Sequence, residues 1–286
     1  MPVSHPLSID AQPVKTYPLV NVICFDLDGT LVDESGRIHP KDIQVLQNKP
    51  EDVVFIPASG RSLTSVRKVF TANGLFEGGV FPFPLILQNG SLVYDAEERL
   101  LGFFPFEECV QDLLIKIAIG KKGVTYLFMA QDRIDRIWAH PFSFTLIEKY
   151  GFIVQPYNYA GDQLAFSKVM CLSDRYNLLL EIQTACEGLE VDKAFSMPTI
   201  FELTPKGINK GSGLKFLLES TGQRCTLVSA AGNDQNDFSM LQLADLKFAP
   251  VGSNAVSLCK SEMVIDPENN GILTPMLEKI NSMEEK

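Results

Sequence analysis

Two aspartates stand two residues apart in the run Asp26-Leu27-Asp28-Gly29-Thr30-Leu31. Directly before them comes Val20-Asn21-Val22-Ile23-Cys24-Phe25, an apolar, β-branched stretch of buried-strand length. The pair therefore falls where a strand gives way to a loop, which in an open parallel sheet is the ligand-binding edge. A carboxylate placed there can attack phosphorus and form an aspartyl-phosphate. A second can pass protons to and from the reacting oxygens. Gly29 lets the chain turn sharply, and Thr30 can hydrogen-bond back to hold the loop. The alternative is an ordinary strand end followed by an acidic turn, because Asp-Gly is a common turn pair. Set after an apolar strand, the whole pattern favours chemistry.

Three further strand ends carry suitable groups. Pro57-Ala58-Ser59-Gly60-Arg61-Ser62 places a hydroxyl and a glycine between a strand and a helix, where both offer donors to phosphate oxygens. Ser59 or Ser62 as a plain helix cap is the competing reading. Lys210, in Gly207-Ile208-Asn209-Lys210-Gly211, opens a helix. A cation there opposes the macrodipole unless an anion sits beside it, although a solvated surface lysine is the common fate of this residue. Ala230-Ala231-Gly232-Asn233-Asp234-Gln235-Asn236-Asp237 is rich in acidic and amide oxygens, which suit a hard cation such as Mg²⁺. It also reads as an Asx-rich turn capping a helix at Phe238. Together, a nucleophile, a phosphate-binding hydroxyl, a lysine and an acidic loop make a phosphoryl-transfer site.

The elements that must position these groups alternate. Val20–Phe25, Val53–Ala58 and Leu85–Leu87 read as strands, with helices over Pro40–Gln47 and Ser62–Ala72 between them. This β-α-β-α-β order predicts an α/β fold with a parallel sheet. The middle changes character. Leu92–Tyr94 and Leu101–Phe106 read as a hairpin around Asp95–Arg99, followed by helices over Cys109–Ile119, Phe142–Tyr150 and Asn177–Cys186. Strands fall at Val124–Met129, Lys168–Leu172, Ala194–Phe195 and Thr199–Leu203. The pattern predicts an inserted α+β domain over 92–205 in a core made of 19–91 and 206–286. After it, alternation returns with a helix at Asn209–Glu219, a strand at Cys225–Ser229, a helix at Phe238–Leu243, a strand at Lys247–Pro250 and a last helix at Ile272–Ile280.

Bulk properties narrow the partners. The net charge of −10 argues against a nucleic acid but not against one small phosphate ester, which needs only local positive charge. The six cysteines, at 24, 109, 171, 186, 225 and 259, contain no C-x-x-C pair and fall mostly in apolar stretches. They read as reduced thiols of a cytoplasmic protein. Three unclustered histidines, at 5, 39 and 140, disfavour a His-based zinc site or a Ser-His-Asp hydrolase. No apolar run reaches membrane-spanning length. Residues 1–18, with four prolines, read as a flexible leader.

With these motifs in this order, the chain resembles the haloacid dehalogenase (HAD) superfamily, and within it the Cof-like sugar-phosphatase branch with a type IIB cap. Asp26–Leu31, Pro57–Ser62, Lys206–Gly211 with Thr204-Pro205 before it, and Gly232–Leu241 match the four motifs. Leu87–Asp95 and Gly252–Val256 fit the branch as well. The resemblance implies a Rossmann-like parallel-sheet core with an α+β cap. It implies Asp26 as nucleophile and Mg²⁺ ligand, and Asp28 as general acid/base that lends the metal its backbone carbonyl. Leu27, Ser59, Gly60, Lys210 and Asn236 would hold the phosphoryl oxygens, and Asp237 would support the metal loop. The substrate would be a small phosphorylated metabolite, a sugar phosphate.

One position departs from the pattern. The family usually has aspartate directly after the glycine of the fourth motif, and here Asn233 stands there, with Asp234 next to it. Asn233 can coordinate through its amide oxygen, a loop shift can bring in Asp234, or Asp237 can move inward. Two other readings compete. A phosphomutase would need a second phosphate site in the cap, for which Arg99, Arg133, Arg136 and Arg175 are the candidates. A non-catalytic sugar-phosphate-binding protein would have a weakened metal loop. Phe103-Phe104-Pro105-Phe106 and Tyr157-Asn158-Tyr159 could stack on a sugar ring, or simply pack the core.

Overall fold

The computed structural model describes residues 19–76, 79–159, 165–255 and 263–284. The leader expected over 1–18 lies outside them, as do Cys259 and Val256. In chain order the strands are β1 (Val20–Phe25), β2 (Val53–Pro57), β3 (Leu85–Leu87), β4 (Leu92–Tyr94), β5 (Leu100–Phe103), β6 (Thr125–Met129), β7 (Ile134–Ile137), β8 (Val154–Pro156), β9 (Lys168–Leu172), β10 (Val191–Met197), β11 (Ile200–Pro205), β12 (Cys225–Ala231), β13 (Leu246–Pro250) and β14 (Met263–Ile265). The helices are α1 (Pro40–Gln47), α2 (Leu63–Ala72), α3 (Glu108–Gly120), α4 (Pro141–Lys149), α5 (Tyr176–Ala185), α6 (Lys210–Thr221), α7 (Phe238–Leu243), α8 (Pro267–Asn270) and α9 (Leu273–Glu284).

Every residue of β1 is buried, because both faces of a parallel sheet are covered. Side chains alternate across the strand. Ile23 and Phe25 join one apolar cluster, which includes Phe55, Phe70 and Met276. Val20, Val22 and Cys24 join another with Leu214, Leu217 and Met240. Truncating Phe25 to alanine should cost about 3–5 kcal/mol. The sheet runs β14-β13-β12-β1-β2, and each of its pairings is parallel. β1 therefore lies between β12 and β2, and the loop after β1 emerges between the C-terminal ends of those two strands.

The third strand differs from expectation. β3 pairs with the parallel sheet only through a single bridge from Ala58 to Ile86. Its main partner is β4, in a small antiparallel sheet β3-β4-β5. Leu92 and Tyr94 of β4, expected at the start of the insertion, pack in the same cluster as Phe25. A three-residue strand carries too little pattern to fix its partner.

The remaining strands of the middle segment form a six-stranded sheet, β10-β11-β9-β6-β7-β8, antiparallel except for β7–β8. Alternation again assigns its faces. Tyr126 and Phe128 pack with Val110 and Leu114 of α3 and Leu179 and Ile182 of α5. Leu127 and Met129 pack with Ile147 of α4, Met170 and Ile200. Mixed α+β character is as expected; β7, β8 and β14 are strands the sequence pattern did not reveal. Of the cysteines described, Cys24, Cys171 and Cys186 are buried free thiols, whereas Cys109 is exposed on α3. No helix among the described residues is long and apolar enough to cross a membrane.

Candidate active site

Asp26 comes directly after β1, is 4% exposed and takes its backbone bond from its N–H to the carbonyl of Ala231 at the end of β12. The turn behind it is held by Thr30, whose hydroxyl donates to Asp26 Oδ2 at 3.3 Å. Gly29 has φ +81°, and a Cβ there would lie 2.2 Å from the Asn233 amide nitrogen. Glycine thus meets two needs, a left-handed backbone and close approach of the acidic loop.

α6 begins at Lys210 after a reciprocal capping box between Asn209 and Ser212. The Lys210 side chain is fully buried, and its Nζ lies 2.5 Å from Asp26 Oδ1 and 2.5 Å from Asp237 Oδ1. These two carboxylates are the anions that make a cation at the helix start tolerable. Burial alone would lower the Lys210 pKa, but Asp237 and Asp26 outweigh it and hold the ammonium above its ordinary value. Two carboxylates share one cation, so the buried trio is left with excess negative charge. Burial, and then Asp237, push Asp26 up to about 7 against the pull of Lys210.

The acidic loop after β12 is tied from beneath. Asp237 Oδ2 accepts the N–H groups of Asn233 and Asp234 at 2.8 and 3.1 Å. Asp234 caps the short helix Gln235–Asp237 and accepts from Asn254 Nδ2 at 3.1 Å. Ala255 N–H donates to the carbonyl of Asn233. The stretch therefore caps the short helix Gln235–Asp237 and not, as the alternative reading has it, the helix at Phe238, whose N-cap Asp237 makes no side-chain cap bond. With both its oxygens engaged and its side chain fully buried, Asp237 supports the loop and does not face the cavity, so the inward movement considered for it is not seen.

After β2, the loop of Ser59, Gly60 and Arg61 is knitted to a left-handed turn at the end of β3. Asn89 N–H donates to the Ser59 carbonyl and Gln88 N–H to the Arg61 carbonyl. Gln88 and Asn89 have φ of 50° and 58°, a conformation costly for non-glycine residues and typical of functional sites. Ser59 is fully buried, and its Oγ accepts from Arg61 N–H at 3.2 Å. Ser62 is the N-cap of α2, its Oγ accepting from Ser65 N–H.

Asp26, Asp28, Gly60, Asn233, Asp234 and Asn236 line one cavity of about 430 Å³. Leu27, Ser59, Lys210 and Asp237, all fully buried, lie just behind it. Lys210 thus meets the cavity through Asp26 and not at its surface. The middle segment closes the other side with Tyr150, Phe152, Lys168, Met170 and Glu202. Tyr150 and Phe152 stack at 5.5 Å and 18°. The aromatics singled out from the sequence instead pack elsewhere, Phe104 against Phe216, Phe106 against Phe166 and Tyr157 against Phe128.

Sequence reasoning missed Arg61, Asn89, Lys168 and Glu202. Arg61 stood inside the second motif, and its position beside Gly60 was the available signal. Lys168 and Glu202 carry no local signal. The four arginines considered for a second phosphate do not line the cavity. Arg99 pairs with Asp95, and Arg133 with Asp135. Arg136 lies over the Phe144 ring, and Arg175 beside Gly123.

Among the described residues, no three His, Cys, Asp or Glu side chains are grouped as a metal site. At the loop the residue after Gly232 is an amide, Asn233, where the family resemblance leads one to expect an acid. The core loops nevertheless bring the hard oxygens of Asp26, Asp28, Asn233 and Asp234 to the cavity, and the trio beneath them has unbalanced negative charge. Both features fit a divalent cation.

Known proteins share this architecture. An uncharacterized hydrolase of Schizosaccharomyces pombe is 26% identical over 283 residues, covering 91% of each chain. An HMP-PP phosphatase of Serratia proteamaculans is 26% identical over 253 residues, 85% of this chain and 87% of its own. The solved structure of a HAD subclass IIB sugar phosphatase superimposes with a TM-score of 0.72, at 17% identity, over 92% of this chain and 99% of the other. A likeness at that identity speaks for the fold alone. The model of the haloacid dehalogenase-like hydrolases matches residues 23–273, a span that runs from β1 into α9 and holds all four strand-end motifs; the chain belongs to that family.

Proposed function

We propose that the protein is a divalent-metal-dependent phosphatase that hydrolyses a small phosphorylated metabolite, a sugar phosphate, through an aspartyl-phosphate on Asp26. The observation that carries this reading is the placement of Asp26 and Asp28 at the end of the central strand, on one cavity, with Lys210 2.5 Å from Asp26. Phosphatases among the relatives support the same chemistry. The six-stranded segment serves as the cap of a discontinuous core.

Asp26 attacks phosphorus in line with the ester oxygen. Lys210 fixes the orientation of Asp26 from behind and offsets charge that develops as the phosphoryl group moves. Asp28 delivers a proton to the leaving alkoxide, then takes one from the water that attacks the aspartyl-phosphate. Gly60 and Asn236 face the cavity where the phosphoryl oxygens would lie, and Leu27, through its backbone N–H, and Ser59 would hold the same oxygens from the loops after β1 and β2. Asp26, the Asp28 carbonyl, Asn233 and Asp234 would hold Mg²⁺, with Asp237 setting their loop. Bound there, the cation supplies Lewis-acid polarisation of the phosphoryl oxygens. The cap excludes bulk water.

Phosphate release from a panel of sugar phosphates, measured with Mg²⁺ and with chelator, tests the reading. Metal-dependent release is expected. Saturable binding of the same esters without any release would favour the binding protein instead, and isomerisation without release the mutase.

A further inference from the structure

The cap brings two oppositely charged side chains to the cavity wall and pairs them there. Lys168 begins β9, and Glu202 lies on the neighbouring antiparallel strand β11, on the face that also bears Met170. Lys168 Nζ is 3.0 Å from Glu202 Oε2, with side chains 1% and 10% exposed. The ammonium also donates to the carbonyl of Gly60, across in the loop after β2, at 3.1 Å. Glu202 accepts in addition from Asn89 Nδ2 at 3.1 Å. That bond fixes the orientation of the Asn89 amide, since only its nitrogen can donate to a carboxylate. Its oxygen is left without a partner.

Apolar residues of similar volume would fill this space without the desolvation cost of a buried ion pair. What the pair does to the cavity is electrostatic. Its lysine is neutralised by Glu202 and has two of its three N–H donors engaged, so it offers a ligand no uncompensated charge. Its carboxylate adds to those of Asp26, Asp28 and Asp234 on the same cavity. The other lining cation near the core, Arg61, is bound to Asp28. Lys193 is the third cation of the lining, half-buried on β10. Four carboxylates thus face three cations, two of which are already paired. With a divalent cation bound, the excess positive charge of the lining is already taken up by one phosphoryl group. A second anionic group at this wall would meet the Glu202 carboxylate beside a lysine already paired with it, the remaining lining cation being Lys193 on β10, and like charges brought together in a desolvated site are costly.

We propose that Glu202, held by Lys168 and Asn89, is a specificity determinant that rejects substrates carrying a second phosphate and admits monophosphates whose leaving group is uncharged and bears hydroxyl donors. The acceptor at this wall, the Glu202 carboxylate, suits a hydroxyl and repels an anion. The proposal deepens the phosphatase reading and rests on it.

The test compares glucose 6-phosphate with glucose 1,6-bisphosphate, with p-nitrophenyl phosphate reporting whether the chemistry operates at all. In the wild-type protein kcat/KM for the monophosphate should exceed that for the bisphosphate by about 100-fold or more. Glu202→Gln, which keeps the shape and removes the charge, should narrow that ratio by about tenfold or more. Equal use of both esters by the wild-type protein, or a ratio unmoved by Glu202→Gln, would overturn the proposal. The wild-type ratio decides by itself if Glu202→Gln does not fold. If no ester is hydrolysed, p-nitrophenyl phosphate included, it is the phosphatase reading that has failed. Calorimetric binding of the two glucose phosphates to the Mg²⁺-loaded protein then judges the filter, and tighter binding of the bisphosphate would refute it.

Discussion

Arg61 grips Asp28 side-on, with Nε donating to Oδ2 at 2.7 Å and Nη2 to Oδ1 at 2.6 Å. The same guanidinium donates through Nη1 to Ser65 Oγ at 2.9 Å, and Ser65 in turn donates to the carbonyl of Tyr150 in the cap at 2.6 Å. The Tyr150 ring lies 5.5 Å from the guanidinium carbon. The proposed acid/base is therefore oriented by a planar fork that is itself packed between core and cap.

Lysine cannot reproduce that fork. Arg61→Lys should lower kcat/KM by about 10–100-fold for alkyl phosphates, whose leaving groups need a proton, and by less for p-nitrophenyl phosphate, whose leaving group does not. Steady-state kinetics on the two ester types check this. Equal losses on both would mean that Arg61 acts on something other than Asp28.

Lys210→Met should leave Asp26 and Asp237 buried without their shared cation. Removing one partner of a buried charge network destabilises by about 3–5 kcal/mol. Urea denaturation should show that loss in the presence of chelator, and added Mg²⁺ should restore part of it, because a cation beside Asp26 offsets the same charge. Turnover should be lost in either condition.

Asn233→Asp should supply the carboxylate that the acidic loop lacks. The Mg²⁺ concentration for half-maximal activity should fall by about tenfold, as one more ligand charge tightens a hard-cation site. A metal titration of activity measures it, and an unchanged midpoint would show that Asp234 or a backbone oxygen dominates the site.

Asp95 offers a test of pH linkage away from the chemistry. Burial alone would raise its pKa, but the backbone N–H of Arg99, its guanidinium and the N–H of Glu97 together hold it below the usual carboxylate range. With the folded value below the unfolded one, its contribution is fully present above the unfolded pKa of about 3.9 and fades as pH falls through the folded value. The stability difference between wild type and Asp95→Asn should therefore be constant near neutrality and shrink in acid. Urea denaturation from pH 7 downward checks the sign.

Much of this site could be read from the chain because its groups sit where strands end or helices begin. β1 announces itself as six buried residues, five of them apolar, and the carboxylates come at once after it. Lys210 and the loop at Asn233 were legible for the same reason, since each begins or ends an element that its own sequence pattern marks. The hidden features depend on partners far along the chain. Lys168 and Glu202 meet only because β9 pairs with β11. Asp28 and Arg61 are 33 residues apart. β7, β8 and β14, of three or four residues each, are set by the neighbours they pair with and not by local periodicity. β3 went to a different sheet for the same reason.

The mechanism proposed above requires the phosphoryl group to pass through Asp26. Wild-type protein mixed with a radiolabelled sugar phosphate and Mg²⁺, then quenched in acid within milliseconds, should retain label that hydroxylamine releases and that maps to the peptide containing Asp26. Asp26→Asn should retain none and release no phosphate. Phosphate release by Asp26→Asn at the wild-type rate, or label mapping to another residue, would contradict the account.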